Sequence, residues 1–315
     1  MRRTLPACWQ RQQADFGQTM KLPHARAVWL MVVVTLMWAT AGVVTRHLEA
    51  ARSFEVTFWR SLFTVLALLV ILPAWRGRAV FVRIRQGGTA LWVSGACWSV
   101  MFTAFMVALT ITSTANVLVT MSVGPLFTAL AARIFIGHRL AARTWGAIAV
   151  AGAGIAWMYG QQFGEGPMTG TFVALCVPLA LACNWTVVQH AHATGHDVDL
   201  VPAVLIGAAL SALLTLPLAW PLRANAHDLG LLAFLGLFQL AIPCVLSVLC
   251  AKVLKAPEVA LLSLLEVIFG IGFAWVGANE APASSVLTGG TLVIGALVAN
   301  ELLGLRERLS APAAA

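Results

Sequence analysis

Ten runs of apolar residues, most about twenty long and almost free of charge, divide this chain. They fall at 27–46, 56–75, 89–110, 114–136, 144–160, 169–189, 199–220, 229–251, 257–277 and 285–304. About twenty apolar residues in a helix match the thickness of a bilayer's hydrocarbon core. In lipid every backbone N–H and C=O must be satisfied within the protein, which leaves helices or a closed barrel. Barrel strands would alternate with period two over roughly ten residues, and these runs do not alternate. Composition agrees: 60% of the 315 residues are hydrophobic and 10% are charged, against about 25% charged in soluble domains. The sequence therefore predicts an all-α integral membrane protein with ten transmembrane helices, with eight or nine as the alternatives because the fifth run is short and the break at 110–114 is weak.

Charge supplies the orientation. Residues 1–26 form a polar tail without the apolar core of a secretory signal peptide. With ten spans, sixteen Lys and Arg residues fall on the side of the tail, from Arg2 through Arg76, Arg139 and Lys252 to Arg308. Three fall on the other side, Arg46, Arg52 and Arg223, and Arg60 lies inside the second span. The positive-inside rule then places both termini in the cytoplasm, as in a bacterial inner-membrane protein. The net charge of +8 reads as this topology signal, and no nucleic-acid partner is expected. The partners expected are the lipid bilayer and a small-molecule substrate.

The two halves repeat weakly. TANVLVTMSVGPLFTALAARIFIGHRL in the first is echoed by APEVALLSLLEVIFGIGFAWVGANEAP in the second, and each is followed by a Gly-rich span. Pro125 corresponds to Val267, and His138 to Glu280. Five spans per half is an odd number, so the halves, 27–160 and 161–305, must be inverted relative to each other. A tail at 306–315 follows. Inverted repeats with a site between them are the plan of many secondary transporters.

Several short motifs stand in order along the chain. They are Trp38-Ala39, Arg60, Pro125-Leu126-Phe127, Gly137-x-Arg139-Leu140, Leu264-Leu265-Glu266, Gly277 and Glu280. In these residues the sequence resembles the EamA-type transporters of the drug/metabolite transporter superfamily, from about residue 27 to 305. The resemblance implies ten helices and export of small metabolites, often amino acids or related compounds. Two positions depart from the family pattern. His138 stands where Glu is common, and Val267 stands where a Pro often follows the Glu of the ninth span.

The chain has no G-x-x-x-x-G-K-[ST] loop, H-E-x-x-H helix or G-x-S-x-G elbow. A carrier is expected rather than an enzyme, without cofactor or resident metal. The candidate substrate-binding residues are Trp38, Arg60, Asn184 and Trp185. Arg60 either snorkels to the interface along its stem or anchors a substrate carboxylate. Asn184 either joins helices or, with the two tryptophans, lines a cavity. Glu266 lies near the middle of the ninth span, where an ionised acid is penalised by roughly 3 kcal/mol on insertion scales. It must face the bundle interior or water, and it is the candidate proton-coupling group, with protons the candidate coupling ion. The alternative is a protonated structural acid bonded to a neighbouring helix.

Three further readings are structural. Gly146, Gly152 and Gly154, with Gly289, Gly290 and Gly295, would permit close approach of the fifth and tenth spans. Five cysteines inside apolar runs read as small core residues. His190, His192 and His196, beside Asp197 and Asp199, resemble a metal cluster only in spacing and read as loop surface. The expected function is secondary active export of a small polar metabolite by alternating access. A passive facilitator, or a membrane enzyme or sensor on the same bundle, are the alternatives.

Overall fold

The computed structural model describes residues 23–77, 79–135, 141–160, 169–193, 200–251, 253–254 and 256–310. Every regular element among them is helical. In chain order they are α1 (His24–Thr45), α2 (Ser53–Arg76), α3 (Ala79–Gln86), α4 (Thr89–Ile111), α5 (Thr114–Ser122), α6 (Gly124–Phe135) and α7 (Ala142–Gly160). There follow α8 (Thr169–Ala193), α9 (Leu200–Ala219), α10 (Ala226–Phe234), a π-helical segment (Leu235–Ala241), α11 (Ile242–Ala251), α12 (Ala256–Ala278) and α13 (Ser284–Ser310). Seven helical spans among the described residues are long and apolar enough to cross a membrane. Thr169–Asn184 and Leu262–Ala278 are shorter apolar stretches. The chain is a multi-pass helical membrane protein. Side chains on its outward faces are apolar: Trp29 is 72% exposed, Val70 71% and Val276 86%. In water such a surface would be costly, and in lipid it is not.

Local chemistry sets the helix ends. Gly77, with φ of 71°, ends α2 in a conformation that a side chain would disfavour. Ser113 caps α5 by accepting from the Asn116 N–H (3.2 Å), and Asn225 caps α10 by accepting from the Asp228 N–H (2.7 Å). Three features were not visible in hydropathy. The loop after the second run contains the short basic helix α3. The fourth run is two helices, broken at Val123 just before Gly124 and Pro125, where proline cannot donate to the ladder. Its counterpart α12, with Val267 in place of that proline, runs unbroken. The eighth run carries the π segment, a register shift that apolar pattern does not encode.

Helix α1 packs on α12, and α8 packs on α6 and α5. Helix α4 lies between α8 and α9, while α2 lies between α9 and the π segment. The π segment and α11 also meet α1, and α7 pairs with α13. The main core, including Phe105, Leu118, Leu264, Val267 and Val293, joins residues from both halves of the chain.

The glycine expectation holds at one contact only. A Cβ on Gly154 would lie 2.8 Å from the Gly289 carbonyl oxygen, so α7 and α13 touch there through backbone. Gly290 instead lies near Val119, and Gly146, Gly152 and Gly295 face open space. The cysteine expectation also divides: Cys97, Cys244 and Cys250 are buried, whereas Cys176 and Cys183 are exposed.

Candidate functional site

Arg60 enters the bundle from α2, seven residues after its first, or about 10 Å along the axis. It is 1% exposed, so it does not snorkel. Its Nη1 donates to Gln239 Oε1 at 3.0 Å. Its Cζ sits 5.7 Å from the Phe102 ring centroid and 5.8 Å from that of Phe105, within cation–π range. Its Nε and Nη2 are buried without a hydrogen-bond partner among the described residues.

The π segment brings Gln239 to this place. Gly236 permits the approach: a Cβ there would meet Phe63 Cβ at 2.6 Å and the Arg60 carbonyl oxygen at 2.8 Å. Thr64 Oγ1 lies 2.8 Å from the Arg60 carbonyl oxygen and 3.0 Å from that of Gly236, joining the two backbones. Gln239 is 2% exposed, and its Nε2 donates to the Trp38 carbonyl oxygen at 3.4 Å. One side chain thus connects α1, α2 and the π segment. Cys244, further on in α11, lies near the Trp38 side chain and within electrostatic reach of Arg60 and Glu266. Glu266 itself is partly exposed and makes no hydrogen bond among the described residues.

The structure therefore joins Trp38 and Arg60 through Gln239 and places Glu266 within electrostatic reach of Cys244 beside them. Asn184 stands apart. It is 3% exposed and accepts from Ser94 Oγ at 2.6 Å, which ties α8 to α4. Ser94 is eight residues from Phe102 on α4, roughly 12 Å along the helix. Trp185 follows Asn184 on α8, and its side chain lies outside the described residues, as do those of His190 and His192 and all of His196, Asp197 and Asp199. Among the described residues no group of His, Cys, Asp and Glu could hold a metal.

Sequence reasoning missed Gln239, although a lone amide in LLAFLGLFQLAIPCVL carries the same polar signal as Glu266. It also missed a second polar system, at one end of the bundle. Arg46 Nε donates to Glu280 Oε2 at 2.7 Å, and the same guanidinium donates to the Leu109 and Thr112 carbonyl oxygens at 2.9 and 2.7 Å. Glu280 also accepts from the Thr114 N–H and hydroxyl at 2.6 and 2.9 Å. Burial works to raise its carboxyl pKa, but Arg46 and Thr114 prevail and hold it below the ordinary value. At the same end, Asp228 accepts the N–H groups of Glu49, Ala50 and Ala51, and Glu55 accepts those of Arg223 and Ala224. Two buried carboxylates thereby order two loops. The backbone at 49–51 and 223–224 carries no sequence mark of these partners.

Residues 25–160 match the model of the EamA-like transporter family. A solved crystal structure of a protein superposes with a TM-score of 0.62 at 19% identity, covering 91% of this chain and 99% of that one. This likeness shows a shared fold. No curated protein sequence matches this chain. Residues 25–160 of this multi-pass helical membrane protein are thus similar to the EamA-like transporter family.

Proposed function

We propose that this protein exports a small polar metabolite across a bacterial inner membrane by alternating access of two inverted five-helix halves, with both termini cytoplasmic. The observation that carries this reading is the polar cluster inside the bundle. Trp38 and Arg60 come from the first half, and Gln239 and Glu266 from the second. A site between inverted halves is where a rocking carrier binds its cargo. Charge inside a membrane protein is costly and belongs to function or to tight pairing, and Arg60 has no carboxylate partner among the described residues.

Helix packing supports the inverted halves. If α1, α2, α4, α5 with α6, and α7 are exchanged for α8, α9, α10 with the π segment and α11, α12, and α13, the contacts are preserved. The pair α1 with α12 becomes α8 with α5 and α6. The pair α4 with α8 becomes the π segment and α11 with α1. The pair α4 with α9 becomes the π segment with α2. The pairs α2 with α9 and α7 with α13 map onto themselves. The polar system of Arg46, Glu280, Asp228 and Glu55 joins the end poor in Lys and Arg, which we read as the outer side held closed.

In this reading Trp38 and Arg60 contact substrate, Asn184 and Trp185 lie toward the far end of the path, and Glu266 exchanges protons. The test is transport in proteoliposomes under an imposed pH gradient, using a solute found by comparing the media of overexpressing and deletion cells. Glu266→Gln should fold and bind but lose the response to the gradient. A response equal to that of the wild type would refute proton coupling through Glu266.

A further inference from the structure

Three buried nitrogens around one aromatic ring have no acceptor among the described residues: Arg60 Nε, Arg60 Nη2 and Trp98 Nε1. Trp98 packs against Phe102 with centroids 5.3 Å apart and the rings tilted by 42°, and the Arg60 guanidinium lies 5.7 Å from the Phe102 ring. A buried donor without a partner costs on the order of 1–3 kcal/mol, and more when charged. Folded proteins keep few such groups. Here three of them lie around Phe102, and all three are donors. What the site lacks is an acceptor carrying negative charge.

The two free nitrogens of Arg60 are chosen by the third. Gln239 occupies Nη1. Nε and Nη2 remain, and these share one edge of the planar guanidinium with their N–H bonds parallel. That edge matches the two oxygens of a carboxylate, held side-on by a pair of charge-assisted hydrogen bonds. Arg60 is also the sole buried Lys or Arg among the described residues, so the site balances one negative charge and not two. The rings of Phe102 and Phe105 on the guanidinium, with Trp98 beside Phe102, supply an apolar wall for the rest of the molecule.

We infer that the transported solute is a small organic monocarboxylate, gripped by the Nε and Nη2 edge of Arg60 with its apolar body against Phe102 and Phe105. This rests on the transporter reading above. In it, Gln239 is a positioning residue that turns the free edge of Arg60 toward the solute. Trp98 offers its N–H to a further acceptor on the same molecule.

The probes are acid and amide pairs of equal shape, benzoate with benzamide and acetate with acetamide, together with inorganic phosphate. Thermal unfolding of the purified full-length protein in detergent reads binding, and counterflow in proteoliposomes reads transport. A carboxylate should raise the unfolding temperature at millimolar concentration, while its amide and phosphate should not. Arg60→Lys keeps the charge but not the fork, and should raise the half-saturating carboxylate concentration more than tenfold. Equal effects of acid and amide, a preference for phosphate, or no effect of either carboxylate would overturn the inference. So would wild-type carboxylate affinity in Arg60→Lys. The acid and amide comparison uses the unaltered protein, so it stands even where the variant fails to fold. Carboxylate binding without counterflow would overturn the transporter reading, whereas counterflow that does not distinguish acid from amide would overturn only the carboxylate site.

Discussion

Replacing Glu280 by Gln removes one charge and changes little else in size, so its cost can be worked from the contacts. The carboxylate accepts from Arg46 Nε and Nη2 at 2.7 and 3.3 Å and from the Thr114 N–H and hydroxyl at 2.6 and 2.9 Å. Gln keeps one acceptor oxygen and turns an NH2 group toward donors. Hydrogen bonds to charged groups contribute about 1.5–3 kcal/mol, against about 1 for neutral ones. The side chains of Arg46 and Glu280 are 28% and 20% exposed, so water screens part of the loss. The expected destabilisation is about 2 kcal/mol, or roughly 30-fold in the folding equilibrium. Equilibrium unfolding in mixed micelles measures it, with Arg46→Met and the double variant completing a cycle. A coupling below about 0.5 kcal/mol, within the error of additivity, would refute the claim that this pair holds α1 to the segment after α12. The pH dependence has a definite sign. The folded carboxyl titrates below its ordinary value, so its contribution is complete above the unfolded pKa and is lost as pH falls through the folded one. Below the ordinary carboxylate range, near 4.5, wild type and Glu280→Gln should converge.

Three other outcomes follow from the packing and the charge pattern. Gly154→Leu should disrupt the α7–α13 contact and lower the yield of folded protein several-fold, while Gly152→Leu, facing open space, should leave it unchanged; size-exclusion profiles in detergent decide this. Gly236→Ala would drive a methyl group into the Arg60 carbonyl oxygen and Phe63, and should abolish transport while Gly230→Ala, with open space around it, does not. Reporter fusions at residues 80 and 141 should read cytoplasmic and a fusion at residue 50 external, and the reverse pattern would overturn the orientation drawn from Lys and Arg.

Much of the fold was legible because the solvent of this protein is lipid. A chain that must satisfy its backbone internally has little choice but helix, so apolar length located helices, and α1, α4 and α9 lie where hydropathy puts them, while seven of the helical stretches among the described residues are long and apolar enough to span. The ends were less legible where a short polar signal sits inside a long apolar one. Ser53 begins α2 three residues before the apolar run, and the break at Val123 needs Gly124 and Pro125 to be read together. For the site, Arg60 and Glu266 were visible as charges out of place, and their cost in lipid required interior positions. Asn184 carried the same signal, but in the structure it joins α8 to Ser94 of α4.

Sequence by itself determined the class of solvent, the helical secondary structure and the unusual charges, since each follows from the transfer energy of residues taken one at a time. Tertiary structure decided which face each helix turned inward and which distant groups met. Arg60 and Gln239 lie 179 residues apart, and Arg46 and Glu280 lie 234 apart. Their pairing depends on helix rotation and on the register shift of the π segment. A few degrees of rotation, or the missing side chain at Gly236, decide whether two polar groups touch. Hydropathy is blind to both, because it averages over the helix surface that packing tells apart.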